Sequence, residues 1–489
     1  MRARRGVVTL VVAGMLASGC PGPESGNEDA GGTRDARVLD APGLDAPGLD
    51  APGLDAPGLD AGGPDAAMAS SCGDPGSLLP AWYVGFTPSR VVYVAPDGDD
   101  AHDGSSADTA VRTTAAALRL ATPGTEVRFQ PGRYAGDGVC TYFEDLRGEE
   151  AHPIVLRSAG GPGAAELDCG RTSSMMLVRS RYVAIDGLDL HGAPDGAHVF
   201  NFASGEAPYL DATDHVVVHR SHFHDAGRHA IKFSQSSHIT LVDDEFDSSR
   251  ENDLLVSFVA VDDVVVAGCH AHDGGSFNQI KGGSQRSFWY RNLVERTGFG
   301  LLVGGDCTGR SFLVHTDADF EAEGVRAWDN VMIETARAFR FVSCHDCEVV
   351  HNTWLSSAPS QAMFMLDIGF DCGTPTEVPL HNRNIVVRNN VFSSSAPWPY
   401  AIAGTMPEGL VMDHNLWWAA GDPSRTGTDV PFSGEPTSIY DLDPGFADPP
   451  ADLRPTVASP LIGGGVPVDW APGNAEGLCW SGSPNVGAY

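Results

Sequence analysis

Of the 31 basic residues in this chain, only Lys232 and Lys281 are lysine; the rest are arginine. Genomic base composition accounts for the scarcity of lysine but not for where the two lysines fall. Lysine and arginine can neutralise a sugar carboxylate and so acidify the proton on the neighbouring carbon, which one of them then removes. Lys281, Lys232 and Arg340 are therefore the candidate catalytic set. Asp253, Asn278, Gln279 and Arg310 are the candidate substrate contacts. The alternative is a solvated exterior face that carries these charges without chemistry.

The elements that must position them show as a repeat. One column passes through Gly187, Ser221, Asp244, Cys269, Asn292, Asn330, Asn352, Asn390 and Asn415. The intervals are 34, 23, 25, 23, 38, 22, 38 and 25 residues, so one short unit recurs and three units carry insertions. The units show β-branched and aromatic runs at period two rather than 3.6, which predicts a stacked β-solenoid instead of helical repeats. A residue repeated once per rung forms a ladder about 4.8 Å apart, and asparagine suits a turn ladder because it tolerates left-handed backbone and bonds through its amide. A β-sandwich gives no reason for the same polar residue at the same offset.

Counting from this column, Lys232 lies 11 residues past Ser221 and Lys281 lies 12 past Cys269. Both then fall in nearly one column, two rungs or about 10 Å apart. With Ile231, Phe233 and Ile280 in the core, alternation turns the lysines outward. Asp253 falls on the intervening rung, before the inward Leu254, Val256 and Phe258. Gln279 points outward, and Arg340 does so two rungs beyond Lys281.

The segment from Val91 to Tyr134, with V-V-Y-V-A-P-D-G at one end and P-G-R-Y at the other, and the closing S-P-L-I-G-G-G and G-A-Y resemble bacterial secreted right-handed parallel β-helix proteins of the pectate lyase-like superfamily. The resemblance implies an all-β, right-handed parallel β-helix: a single-stranded solenoid of about 10 rungs with a short N-terminal capping helix near Thr113–Ala121. N-Q-I-K-G-G-S followed by F-W-Y-R-N (Asn278–Asn292) is similar to chondroitinase B and related alginate lyases. That similarity implies Lys281 as base. The strand that carries the acid arginine in those enzymes reads L-L-V-G-G-D here, with Val303 at the arginine position and Arg310 or Arg340 as substitutes. Polygalacturonase-like hydrolases need a G-H-G, which this chain lacks; Asp253 with Asp225 or Asp273 is the remaining two-carboxylate arrangement.

The N-terminus reads as an address. Arg2, Arg4 and Arg5 precede an apolar run and A-S-G-C, which resembles a lipobox with Cys20 as the lipidated residue. Residues 1–20 are thus expected to be a lipoprotein signal, 21–80 a linker kept extended by its L-D-A-P-G repeats, and 81–489 the β-helix domain. The expected location is the outer membrane or cell surface of a bacterium, with the lipid as the only membrane contact and a monomeric state. A net charge of −33 argues against nucleic acid and anionic lipid as partners. Polysaccharide, including acidic polysaccharide, is the expected partner, against a non-catalytic glycan- or protein-binding role.

Cys307 and Cys344 lie 15 and 14 residues past Asn292 and Asn330, on adjacent rungs at disulfide reach. Cys269 reads as a buried free thiol. Cys344-His345-Asp346-Cys347 is a single pair in an oxidising compartment and is not assigned to zinc. His224, Asp247 and His272 share a column three residues past the ladder, which reads as turn decoration, the commoner role, or as a metal site. No metal ligand and no cofactor is assigned. Calcium at Asp317 and Asp319 is the alternative, and their spacing lacks the rest of an ordered loop.

Overall fold

The computed structural model describes Cys72 and residues 75–489, except 204–212, 248–253, 306–307, 310–312, 314, 316, 367–380, 397–399, 405 and 421–436. The lipobox at Cys20 and most of the proposed linker lie outside these residues. Each coil contributes three short strands. Ser276–Lys281 lies in sheet 2, Ser284–Tyr290 in sheet 1 and Leu293–Glu295 in sheet 3, and Phe299–Gly304 then returns to pair in parallel with Ser276–Lys281. Sheet 3 has 12 strands. Sheets 1 and 2 fuse into one 20-stranded sheet because Ile231–Val242 and Leu254–Ala267 run through the corner and belong to both. The solenoid is a parallel β-helix, wound in the sense that parallel crossovers take. It exceeds the ten expected rungs because Gly132–Ala135 and Ala165–Asp168, the first strands of sheet 3, precede the repeated column.

The interior is apolar: Phe202, Phe233 and Phe258 stack on successive coils of sheet 2, and Phe392 stacks on Trp417 in sheet 3. The N-terminal end is capped by the helix Thr114–Leu120, whose Ala116 N–H donates to the Thr113 hydroxyl and whose Ala116, Ala117 and Leu118 face the core. This agrees with the expected capping helix.

The corner between sheets 1 and 3 carries the ladder. The residue before each ladder position (Arg220, Asp243, Gly268, Arg291, Asp329, His351, Asn389, His414) is left-handed, with φ from 51° to 67°. Left-handed backbone costs an ordinary L-residue on the order of 1 kcal/mol, so something must hold it there. The ladder does so. Each asparagine donates from Nδ2 to the Oδ1 of the next: Asn292 to Asn330 at 2.8 Å, Asn330 to Asn352 at 2.9 Å, Asn352 to Asn390 and Asn390 to Asn415 at 3.0 Å. The same Oδ1 accepts the backbone N–H of the preceding rung, as Asn330 does from Asn292 at 3.0 Å. All five asparagines are buried. Gly187 is the exception: the register sets it in line with Arg220 rather than Ser221, so it takes the left-handed position itself, with φ 70°, and Leu188 occupies the ladder position, its N–H donating to the Ser221 hydroxyl at 3.3 Å.

Below Asn292 the ladder runs through Cys269, a buried free thiol as expected, and then Asp244. The Asp244 Oδ1 accepts from the Ser221 N–H at 2.8 Å, as an asparagine oxygen would. Burial holds its carboxyl well above the ordinary carboxylate range.

Two of the faces are partly covered by the chain ends. Leu79, Trp82, Tyr83 and Phe86 pack on Val155, Ala184 and Val217 of sheet 1, and Val468, Trp470 and Ala471 cover the same sheet further along. Cys72 is bonded to Cys479, and Arg291 donates to the Cys72 carbonyl at 2.8 Å. The folded unit thus begins before residue 81. On sheet 3, Leu453 and Ala488 cover Val331 and Leu355, and Leu461 and Val486 cover Val391 and Leu416.

The expected Cys307–Cys344 disulfide is overturned: Cys344 is bonded to Cys347. Left-handed backbone at Ser343 and Asp346 kinks the strand so that both buried sulfurs meet, with Cα atoms 6.3 Å apart. Cys140 pairs with Cys169, and Cys307 itself is outside the described residues.

Replacing Asn330 by leucine takes the Oδ1 acceptor from the Asn292 side-chain amide and backbone N–H, and the Nδ2 donor from the Asn352 Oδ1 and the Trp289 carbonyl. The expected loss is on the order of 3 kcal/mol in denaturant unfolding, and a loss below about 0.5 kcal/mol would contradict the ladder's role. Asp244 gives a pH signature. The folded chain keeps the Asp244 proton where the unfolded chain has lost it, so that stability is full below the ordinary carboxylate pKa and is lost as pH rises toward the folded value. Asp244→Asn should raise the thermal midpoint at pH 8, with the gain fading toward pH 4; an equal gain at both would count against a buried neutral acid.

Candidate functional site

The outward surface of sheet 2, which neither chain end covers among the described residues, carries the lysines. Strand alternation puts Ile231 and Phe233, Ile280, and Phe339 and Phe341 inside. Lys232, Gln279, Lys281 and Arg340 therefore stand outward on one sheet, each half-buried. The register corrects the column. Lys232 aligns with Ser257, Gln279, Leu302 and Arg340, while Lys281 aligns with Val259 and Ser234, one outward position along the strand. The corner between sheets 3 and 2 is one residue longer after Ser221 than after Cys269, which shifts any count made from the ladder. Lys232 and Arg340 are four rungs apart, about 19 Å.

Asn278 is not a surface contact. It points inward in register with Val256 and Leu301 and is fully buried. Val303 is likewise a core residue, so the outward position beside it is Leu302. A side chain at 303 has no access to a substrate on this face. Asp253 and Arg310 lie outside the described residues. The column of His224 and His272 is on strands, not turns: His222–His224 and His270–His272 are extended segments of sheet 3.

Several groups on or beside the sheet 2 face had no part in the sequence assignment. Arg337 starts the strand of Arg340, lies over the Phe299 ring at 4.6 Å, and is held below the usual guanidinium range by burial and by Arg340. Four cations thus share this face of an acidic chain. Glu321 sits under Lys281, fully buried, accepting the Gly282 and Thr308 N–H groups at 2.8 Å each. Burial raises its pKa against those hydrogen bonds and the Lys281 charge. Gly305 leaves room for the lysine stem: a Cβ there would lie against Lys281 Cδ.

His229 closes the corner before Lys232. Its ring stacks on His198 with centroids 4.7 Å apart and 9° between planes. Its Nδ1 lies 3.2 Å from the Leu254 carbonyl, which assigns the ring proton to Nδ1 and the lone pair to Nε2. Burial, then Lys232 and Arg228, push its pKa well down, so the imidazole is neutral at pH 7. The only sequence signal for it was the density of histidines between His215 and His238.

No protein-family model matches the sequence, and no curated protein sequence matches it. Among solved structures, the pectate lyase Pel9A superposes with a TM-score of 0.48 at 14% identity, over 83% of this chain and 98% of that one. An alginate lyase from Paenibacillus sp. str. FPU-7 gives 0.40 at 15%, over 67% and 99%. A mannuronic acid-specific polysaccharide family 6 lyase from human gut microbiota gives 0.44 at 13%, over 67% and 80%. The fold assignment rests on the strand registers themselves. They define a parallel β-helix protein with a cationic outer face on sheet 2.

His229 has a folded pKa below its unfolded value, so its contribution is full above the unfolded pKa, about 6.5, and is lost as pH falls. The drop in thermal midpoint between pH 7 and pH 5 should be smaller for His229→Gln than for the parent chain; an equal or larger drop would contradict a buried neutral imidazole.

Proposed function

We propose that the outer face of sheet 2 binds an acidic polysaccharide, and that the protein acts on it as a lipid-tethered component of the bacterial surface. The observation that carries this reading is the gathering of Lys232, Lys281, Arg337 and Arg340 on one sheet that, among the described residues, neither chain end covers, in a chain with net charge −33. Cations on successive rungs match a polymer with a carboxylate on each sugar, and they concentrate a polyanion that the rest of the surface repels. Gln279, between Lys232 and Arg340 in the column, supplies a neutral donor for hydroxyl groups.

The proposed activity is β-elimination. Lys281 removes the C5 proton of a uronate, the electron pair forms the C4–C5 double bond, and the glycosidic oxygen leaves C4 with a proton from solvent. Arg340 and Lys232 neutralise the carboxylates that flank the reacting sugar, and no cofactor enters the scheme. Leu302 favours a second reading, a non-catalytic glycan binder, because it interrupts the cationic column between Gln279 and Arg340.

A panel of polyuronates assayed for the unsaturated product separates the two. Elimination predicts product with at least one polyuronate and a fall on the order of 100-fold or more with Lys281→Ala. Binding alone predicts affinity without product, weakened about tenfold by either Lys232→Ala or Arg340→Ala. Neither product nor affinity for any polyuronate would reject the site.

A further inference from the structure

Sheet 3 changes character along the axis. From Leu293 onward its outward positions are largely apolar and lie beneath the C-terminal segment. Before that point they are histidines and carboxylates mixed on adjacent rungs, half-buried and uncovered by the described chain ends. Each imidazole is hydrogen-bonded to a carboxylate, His191 to Glu166, His222 to Asp247, His224 to Asp189, His270 to Glu295 and His272 to Glu245, which offsets the repulsion between stacked rings. His191 stacks on His224 at 4.7 Å, and His222 on His224 at 4.4 Å, which gathers their ring nitrogens with those carboxylates in one place.

Three sets of one ligand atom per residue lie within 4.8 Å of one another: Asp189 with His191 and His224, His222 with Glu245 and Asp247, and Glu245 with His270 and His272. Two ligands of a tetrahedral zinc ion, each about 2.05 Å from the metal, stand about 3.3 Å apart. The Asp189 oxygens lie 3.1 Å from His224 Nε2 and 3.3 Å from His222 Nδ1. His272 Nε2 lies 3.0 Å from the Glu245 Oε1 and 3.9 Å from the Asp247 Oδ2. Three of these four distances lie near a tetrahedral edge; the shortest two are hydrogen bonds in the metal-free chain, which an ion would replace, and all are held by rung spacing rather than by a flexible loop.

We propose that the uncovered half of sheet 3 binds divalent transition-metal ions, each held by imidazole and carboxylate groups from neighbouring rungs. Mixed nitrogen and oxygen ligands select zinc- or copper-like ions over calcium and magnesium, which take oxygen. The site is on a different sheet from the lysines and does not depend on the polysaccharide reading.

Zinc titrated into the folded chain in a non-chelating buffer, with bound metal measured after gel filtration, tests it. At least one ion per chain should be retained against a hundredfold excess of calcium. His222→Gln/His224→Gln/His272→Gln, which removes one imidazole from each of the three sets, should lose most of it while keeping the circular dichroism and metal-free thermal midpoint of the parent. A fourth set, Asp214 with His215 and His238 on sheet 1, is untouched by that variant, so undiminished zinc in the variant would overturn the assignment to sheet 3. No retained zinc, or displacement by calcium, overturns it as well. If the variant fails to fold, copper bound to a His215→Gln/His238→Gln chain, which lacks the sheet 1 set, decides: paramagnetic resonance should show at least two nitrogen ligands, and an oxygen-only spectrum would contradict the proposal.

Discussion

One column of side chains at the corner between sheets 1 and 3 governs the rest of the molecule. A coil of three short strands has no local reason to repeat at the same angle, because each corner needs left-handed backbone that its residues disfavour. The asparagine ladder supplies that reason. Each amide ties one rung to the next through both its donor and its acceptor, and each corner left-handed residue sits beside a fixed hydrogen bond. Where asparagine gives way to Asp244, the same geometry is kept by a carboxyl that burial holds protonated.

Register follows from the ladder, and the division of the surface follows from register. Rungs in strict alignment make each outward position a column, and each column is either covered or left to solvent. The chain ends cover sheet 1 and the C-terminal half of sheet 3, with apolar columns beneath them. The columns that the described chain ends leave open carry cations on sheet 2 and paired histidine and carboxylate on sheet 3. A polymer lying along one face meets repeated charge, and an ion on the other meets ligands a rung apart.

Much of this was legible in the sequence, for a definite reason: a polar residue recurring in a buried column is improbable unless it bonds to itself. The solenoid and the outward turn of Lys232 and Lys281 follow from that column and from alternation, while the capping helix was implied by the resemblance of the entry segment to other β-helix proteins. The column assignment of Lys281 slipped because the corner between sheets 3 and 2 varies by one residue, and a one-residue difference is invisible to a count. Asn278 was legible as interior, since it is two residues from the core Ile280, but motif similarity pulled it to the surface. Val303 erred the same way. The Cys344–Cys347 bond depended on a kink at Ser343 and Asp346 that no strand pattern encodes. The covering of sheet 1 had a signal in Leu78, Leu79, Trp82 and Tyr83, an apolar run beside a polar tether, yet its partner surface is set by tertiary packing alone.

The most direct test of this account is amide hydrogen exchange at the ladder corner. The backbone N–H groups of Cys269, Asn292, Asn330, Asn352 and Asn390, each bonded to a side-chain oxygen of the following rung, should belong to the slowest-exchanging class and exchange only when the solenoid unfolds. Exchange of these amides through local opening, at rates typical of exposed turns, would show that the ladder does not hold the coils in register.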